Sequence, residues 1–497
     1  MRITATSRSA TALRSALWVI AEKWLVRLVA LLAFLVLARL LTPADFGLVA
    51  LASVYVTFCT FAVDQGLGVA LIQREDLEPG HWDVVFWMQF LIGVAVAVLT
   101  FVFAGEMAHL FATPGLAPVL EAFALYPLIN SLSLVQQALL RRELRFRALA
   151  IRNTVSTVAG AIMGIGLAVL GYGVWSLVVQ GLGGALVGLV VLWFASSWRP
   201  RFAFSLRHLR ELIGFGVMTL AHNLLWTLAY KIDRLLLGRF AGAELLGFYS
   251  VGQRIVLTVG EVLVLGLQGY VVPVFSRVQQ DREALLRGLF RAHRLIAFVA
   301  LPTFIGIALT ASELVPILLG PKWLQAVAVM QASALPILVN AFGFFLSSVL
   351  TAIGRPGLRL ALSTIQASTS AIFVLLAIPW GPVAVALAMG AAGLLTYVLN
   401  LIMLRQVIGL APLAYQLQIW PIIAATTFMA AVVWAVGSHL HDLPAEVLLM
   451  AKIGAGGLAY VAATLVVSRK QWREILELAR SLRRVRPSNG GVEEAAG

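Results

Sequence analysis

Eight polar side chains share one apolar stretch between about residues 212 and 240: His222, Asn223, Trp226, Thr227, Tyr230, Lys231, Asp233 and Arg234. At about 100° per residue they occupy one half of a helix. Ala221, Leu224, Leu225, Leu228, Ala229, Ile232, Leu235 and Leu236 take the other half, and Leu237 alone strays onto the polar side. The stretch is long and apolar enough to cross a bilayer. Ionic groups at that depth cost about 2.5–3.5 kcal/mol each on insertion scales, so they are rare and face a cavity or a partner. The helix therefore reads as one wall of a wet, basic path through a membrane protein.

Composition agrees. The chain has 497 residues, of which 61% are hydrophobic and 12% charged, and its mean hydropathy is +0.93. Soluble domains average about 25% charged residues, so little of this chain can lie outside a bilayer. The single cysteine, Cys59, excludes an intramolecular disulfide and a cysteine-based metal site. The net charge of +14 would suggest nucleic acid in a soluble protein. Here the arginines lie between apolar spans, so topology accounts for them and no nucleic-acid partner is expected.

Apolar stretches of transmembrane length recur near 16–41, 46–64, 84–105, 118–139, 153–171, 174–195, 212–238, 246–270, 294–312, 325–350, 360–378, 382–404, 418–438 and 446–468. The expected fold is an all-α polytopic membrane protein with about fourteen transmembrane helices. The first stretch ends at Thr42-Pro43 without a small-x-small cleavage pattern and reads as a span. If the N-terminus is cytoplasmic, 28 of the 37 basic residues fall in inner segments, and only Arg239 and Lys322 fall in outer ones. That asymmetry orients both termini to the cytoplasm. Residues 469–497 read as a basic tail that begins as an amphipathic helix on the inner leaflet and ends in a disordered segment.

A repeat runs through the first twelve spans. Arg39-Leu-Leu-Thr-Pro-Ala-Asp-Phe-Gly47 lies 200 residues before Arg239-Phe-Ala-Gly-Ala-Glu-Leu-Leu-Gly247. Glu106 to Pro114 echoes Glu313 to Pro321, and Arg152, Ser156 and Thr157 echo Arg359, Ser363 and Thr364, both at an offset of 207. The reading is two pseudo-symmetric six-helix lobes, residues 1–208 and 209–411, followed by two further helices over 412–468. Six spans per half give a pseudo-two-fold axis along the membrane normal, and substrate sites in such transporters fall between the repeats.

In this register the first span supplies Glu22, Lys23 and Arg27 opposite His222, Asn223 and Thr227. The eighth adds Ser250, Arg254, Thr258, Glu261 and Gln268 within an arc of roughly 80°. Arg254 lies about 10 Å along that helix from Gly247, too deep for a surface residue. Three helices drawn from both halves thus present polar faces that could converge. Glu22, Asp233 and Glu261 are candidates for coupling to an ion or for balancing a neighbouring cation. The plainer readings are a structural bridge from Lys231 or Arg234 to Asp233, ordinary packing for Trp226 and Tyr230, and snorkelling of Arg39, Arg239 and Lys452 to the interface.

Leu40-Leu-Thr-Pro-Ala-Asp-Phe-Gly47 and Asp64-Gln-Gly-Leu-Gly-Val-Ala-Leu-Ile-Gln-Arg74 resemble the opening helices of bacterial polysaccharide flippases. Tyr230-Lys-Ile-Asp-Arg-Leu-Leu-Leu-Gly238 and Leu246-Gly-Phe-Tyr-Ser250 are similar to their seventh and eighth helices. These Wzx-type proteins, colanic-acid exporters among them, belong to the multidrug/oligosaccharidyl-lipid/polysaccharide exporter superfamily. The resemblance, over about residues 15–410, implies a MATE-like fold of two lobes around a V-shaped cavity in the bacterial inner membrane. In the lipid II flippase branch helices 13 and 14 form a groove for the lipid tail, and the last two spans match that count.

The implied cargo is an undecaprenyl-pyrophosphate-linked oligosaccharide moved by alternating access. Membrane lipids surround it, and a polysaccharide polymerase or glycosyltransferases are further implied partners. For such a cargo Lys23, Arg27, Lys231, Arg234 and Arg254 could neutralise pyrophosphate. Trp226 and Tyr230 could pack on sugar faces, while His222, Asn223, Gln253 and Gln268 could bond hydroxyls. No cofactor or metal is called for, and no G-x-x-x-x-G-K-[ST] loop for ATP occurs.

The competing function is a cation-coupled multidrug exporter of the same fold, but cationic drugs favour an acidic cavity and this one is basic. A membrane enzyme is disfavoured because every outer segment is short and no paired carboxylates or metal-ligand cluster lie outside the spans.

Overall fold

A computed structural model describes residues 5–74, 76–202, 205–277, 281–353 and 355–467. Each of the fourteen predicted spans falls on helix. They are α1 (Ala5–Leu40), α2 (Pro43–Asp64), a short α3 (Leu67–Gln73), α4 (Pro79–Leu110), α5 (Leu116–Phe123) with α6 (Leu125–Arg142), α7 (Phe146–Val169) and α8 (Val174–Ala195). There follow α9 (Leu206–Arg277), α10 (Arg282–Leu319), α11 (Gln325–Ala352), α12 (Pro356–Ala377), α13 (Gly381–Ile408), a short α14 (Pro412–Leu417), α15 (Trp420–His439) and α16 (Ala445–Val467). The basic tail over 469–497 lies outside the described residues.

Spans seven and eight abut within α9. They part at Gly242, whose φ of 82° and ψ of 173° interrupt the helix in a conformation open to glycine and strained for other residues. The protein is an all-α, multi-pass membrane protein, and fully exposed apolar side chains such as Phe194 and Trp434 suit a lipid-facing surface.

Two compact units are defined by contact. The first comprises Met1–Thr258, Val315–Ser333 and Leu360–Ala392, and so draws on both halves of the chain. The second comprises Val259–Leu314, Ala334–Arg359 and Gly393–Gly497.

The physical content of the Thr-Pro-Ala-Asp-Phe-Gly motif becomes visible in the first unit. Thr42 is the N-cap of α2: its Oγ1 accepts from the Asp45 amide (3.3 Å), and its own amide donates to Asp45 Oδ2 (2.9 Å). This is a capping box with Pro43 leading the helix. Gly47 then admits the other half of the chain. A Cβ on Gly47 would stand 1.7 Å from the Ala243 carbonyl oxygen, and one on Gly247 would stand 1.8 Å from that of Pro43. At the repeat offset of 200, Gly47 matches Gly247 and Pro43 matches Ala243, so the contact is reciprocal, as a two-fold axis requires.

Around it the loop between α10 and α11 grips the end of α1. Arg39 donates to the carbonyls of Ile317 and Leu318, the latter at 3.0 Å. Lys322 donates to those of Arg39 (2.9 Å) and Leu41 (2.6 Å). The buried Trp323 indole donates to that of Ala38 (2.8 Å), and its ring meets Phe46 and Phe248 edge-on. Lys322 and Trp323 thus satisfy carbonyls at the C-terminal end of α1, and Arg39 those at the end of α10. Desolvation pushes the Lys322 ammonium below its ordinary pKa, and Asp45 pulls it back up.

In the second unit α15 and α16 pack on α10. Met429, Val433 and Tyr460 form a core with Phe298, Ile305 and Leu309, and the Tyr460 hydroxyl donates to the Phe298 carbonyl at 2.6 Å. Here one expectation is corrected. Lys452 does not snorkel: it is buried and its Nζ lies 2.8 Å from Glu313 Oε1. Gly437 makes the room, since a Cβ there would come within 2.8 Å of the Lys452 Cε. A carboxylate fixed on the neighbouring helix outweighs the distance to the interface. Removing one partner of a buried pair leaves a lone charge, so Glu313→Leu or Lys452→Met should each cost about 3–5 kcal/mol. The double variant should recover most of that in thermal denaturation of the purified protein.

Candidate functional site

The polar half of span seven lies on the first part of α9. Lys231 is half-buried, and its Nζ donates to Thr57 Oγ1 of α2 at 2.9 Å, which joins the two halves of the chain. Arg234 is half-buried and Arg254 exposed. Both, with Asp233, act electrostatically on Lys231, so three of the five expected cations share one field.

Asp233 is buried. Its Oδ2 accepts from the Tyr249 hydroxyl at 2.5 Å, and its Oδ1 from the Arg234 amide at 2.8 Å. The Tyr249 bond spans the break at Gly242 and ties the two parts of α9. A neutral phenol thus takes the carboxylate, and no ion pair joins Asp233 to Lys231 or Arg234 among the described residues. Two hydroxyls nearby, Thr227 Oγ1 and Ser250 Oγ, carry no hydrogen-bond partner.

Lys231, Asp233, Arg234 and Arg254 are therefore brought together. Lys23 is exposed and Arg27 half-buried on α1, and Tyr230 is half-buried beside Lys231; their part in the site remains a proposal. Glu261 is exposed and belongs to the second unit. The side chains of Glu22, His222, Asn223, Trp226 and Gln268 lie outside the described ones. Sequence reasoning missed Thr57, which lies in an apolar span with nothing to single it out. It also missed the role of Tyr249, although that residue stands in the Leu246-Gly-Phe-Tyr-Ser250 motif.

Known proteins share the fold. The fold is that of the lipid II flippase MurJ in an inward closed conformation, which superposes with a TM-score of 0.77 at 17% identity over 91% of this chain and 99% of that one. A multidrug resistance MATE family transporter of the MOP superfamily, in an inward-facing conformation, superposes with a TM-score of 0.61 at 17% identity over 79% of this chain and 98% of that one. Residues 36–328 match the model of the polysaccharide biosynthesis protein family, and the chain belongs to that family.

It is 30% identical to the succinoglycan biosynthesis transport protein ExoT of Rhizobium meliloti (strain 1021) over 302 residues, 60% of this chain and 61% of that one. The chain thus spans about three-fifths of the length of that relative. It is also 26% identical to the teichuronic acid biosynthesis protein TuaB of Bacillus subtilis (strain 168) over 460 residues, 89% of this chain and 93% of that one.

Tyr249→Phe leaves one Asp233 oxygen buried without its donor, and should destabilise the protein by about 1–3 kcal/mol. Tyr249→Phe combined with Asp233→Asn should recover part of that loss, as read by thermal unfolding in detergent.

Proposed function

We propose that this protein is a flippase that carries a lipid-linked oligosaccharide, built on undecaprenyl pyrophosphate, from the inner to the outer leaflet of the bacterial inner membrane for surface polysaccharide synthesis. The observation that carries the reading is the shared field of Lys231, Arg234 and Arg254 on a membrane-spanning helix, beside an Asp233 carboxylate that accepts from Tyr249. Three cations gathered at membrane depth suit an anionic cargo. Arg supplies forked donors and Lys a movable point charge to the pyrophosphate. Relatives named for succinoglycan transport and teichuronic acid biosynthesis, and a structural neighbour that flips lipid II, support the same cargo class.

Transport proceeds by alternating access, in which the cargo shifts the balance of states through its differential affinity for them. The lobes comprise residues 1–208 and 209–411, with helices 13 and 14 over 412–468, and both termini face the cytoplasm. Lys23, Arg27, His222, Asn223, Trp226 and Tyr230 extend the site towards pyrophosphate and sugar. Glu22, Asp233 and Glu261 balance charge or couple to an ion. No bond in the cargo is made or broken.

Lys231→Ala with Arg234→Ala should abolish export while membrane insertion is retained, and lipid extracts should show the undecaprenyl-linked repeat unit accumulating inside. Normal surface polysaccharide from cells carrying only the double variant would overturn the assignment. The sugars of the accumulated lipid would identify the glycan.

A further inference from the structure

α7 and α8 pack through glycines spaced four apart, Gly160 and Gly164 on one helix and Gly184 and Gly188 on the other. A Cβ on Gly160 would stand 2.6 Å from the Gln180 carbonyl oxygen and 3.4 Å from the Gly184 Cα. Such small-residue seams let helix backbones approach within a bilayer, and Ser156 Oγ donates across this one to the Gly184 carbonyl at 2.6 Å.

Beside the seam is a cavity of about 320 Å³, walled by Ala30 and Ala33 of α1, Tyr126 of α6, Arg152 and Thr157 of α7 and Gln180 of α8. That volume lies within the range of small-ligand sites, roughly 300–1,000 Å³.

The chemistry of the cavity centres on Arg152. Its Nη1 donates to Asn153 Oδ1 at 3.0 Å, and its buried Nε has no hydrogen-bond partner. No carboxylate pairs with it among the described residues. A second cation, Arg141, lies within its electrostatic range. The guanidinium rests against bare backbone: a Cβ on Gly188 would come within 2.9 Å of its Nε and 3.2 Å of its Nη2. Gln180 and Thr157 add neutral polar groups at the wall, and Ser156 is already committed as a donor to backbone. A half-buried arginine with an orphaned Nε and no paired carboxylate among the described residues is a binding feature as well as a topological one.

We propose that this cavity is a second anion site, separate from the α9 cluster, which takes a phosphate-class oxyanion on the Arg152 guanidinium. Arginine suits this task because its planar donors match phosphate oxygens in pairs. The residues that recur in the repeat, Arg152, Ser156 and Thr157, all wall this cavity, so the echo marks a site as well as a helix. As a subsite for the phosphates of the cargo, the assignment rests on the transport reading. As an anion site it stands alone.

The test is equilibrium dialysis of the purified full chain in non-ionic detergent against labelled pyrophosphate, with farnesyl diphosphate as competitor. It is run on the wild type and on the Lys231→Ala, Arg234→Ala double variant. The double variant should retain binding that Arg152→Gln, added to it, weakens at least about tenfold. Gly188→Ala keeps every charge but displaces the guanidinium, and should weaken the same binding even where Arg152→Gln fails to fold. Arg145→Gln, which removes an exposed loop cation, should not.

Displacement by farnesyl diphosphate at lower concentration than by pyrophosphate would show that the anion arrives on a lipid, and equal displacement that it arrives free. Binding lost in the double variant and insensitive to Arg152→Gln and Gly188→Ala would overturn this inference and leave the α9 assignment standing. The opposite pattern would sustain the inference and overturn the phosphate role of α9.

Discussion

A charge held among apolar helices must be paired, bonded to backbone or met by something that arrives from outside. The protein handles its cations in each of these ways. Lys452 has Glu313 at 2.8 Å. Arg39 and Lys322 spend their donors on the carbonyls that helix ends leave open, and Arg142 does the same for the end of α3 through the carbonyls of Leu71 and Arg74. Among the described residues Lys231 and Arg152 donate to neutral side chains, those of Thr57 and Asn153. Insertion of such groups costs free energy, so each needs something to offset it.

The two halves meet through a contact with no side chain on one side of it. Gly47 and Gly247 each accept a carbonyl oxygen of the opposite repeat at a distance that no larger residue permits. The hydrogen bonds of the surrounding latch, from Arg39, Lys322 and Trp323, join the end of α1 to the end of α10 and the loop after it. Symmetry thus supplies the seat and these hydrogen bonds the grip.

Much of the architecture was legible because the medium constrains it. Bilayer thickness sets helix length, so fourteen spans could be read from apolar runs alone. The polar half of span seven was legible because helical period is regular, and Lys231, Asp233 and Arg234 do fall together. Partners remote in sequence were not. Nothing local marks Thr57 as the acceptor for Lys231, or Glu313 as the acid for Lys452, 139 residues away. The Arg152 cavity escaped for a related reason: it exists because α7 and α8 approach through glycines, and a glycine seam has no signature in hydropathy. The acid of the α9 cluster was read as a partner for cations, whereas a tyrosine beyond the Gly242 break takes it.

The ion pair between Glu313 and Lys452 bears on what the last two helices contribute. Glu313 belongs to the repeat, in the stretch that echoes Glu106, whereas Lys452 comes from outside it. A twelve-helix version of this chain, ended after residue 411, would retain an acid with its neutralising ammonium deleted. The appended hairpin thus supplies the charge that balances Glu313, and shortening this sequence to the size of a minimal exporter calls for a change at residue 313 as well.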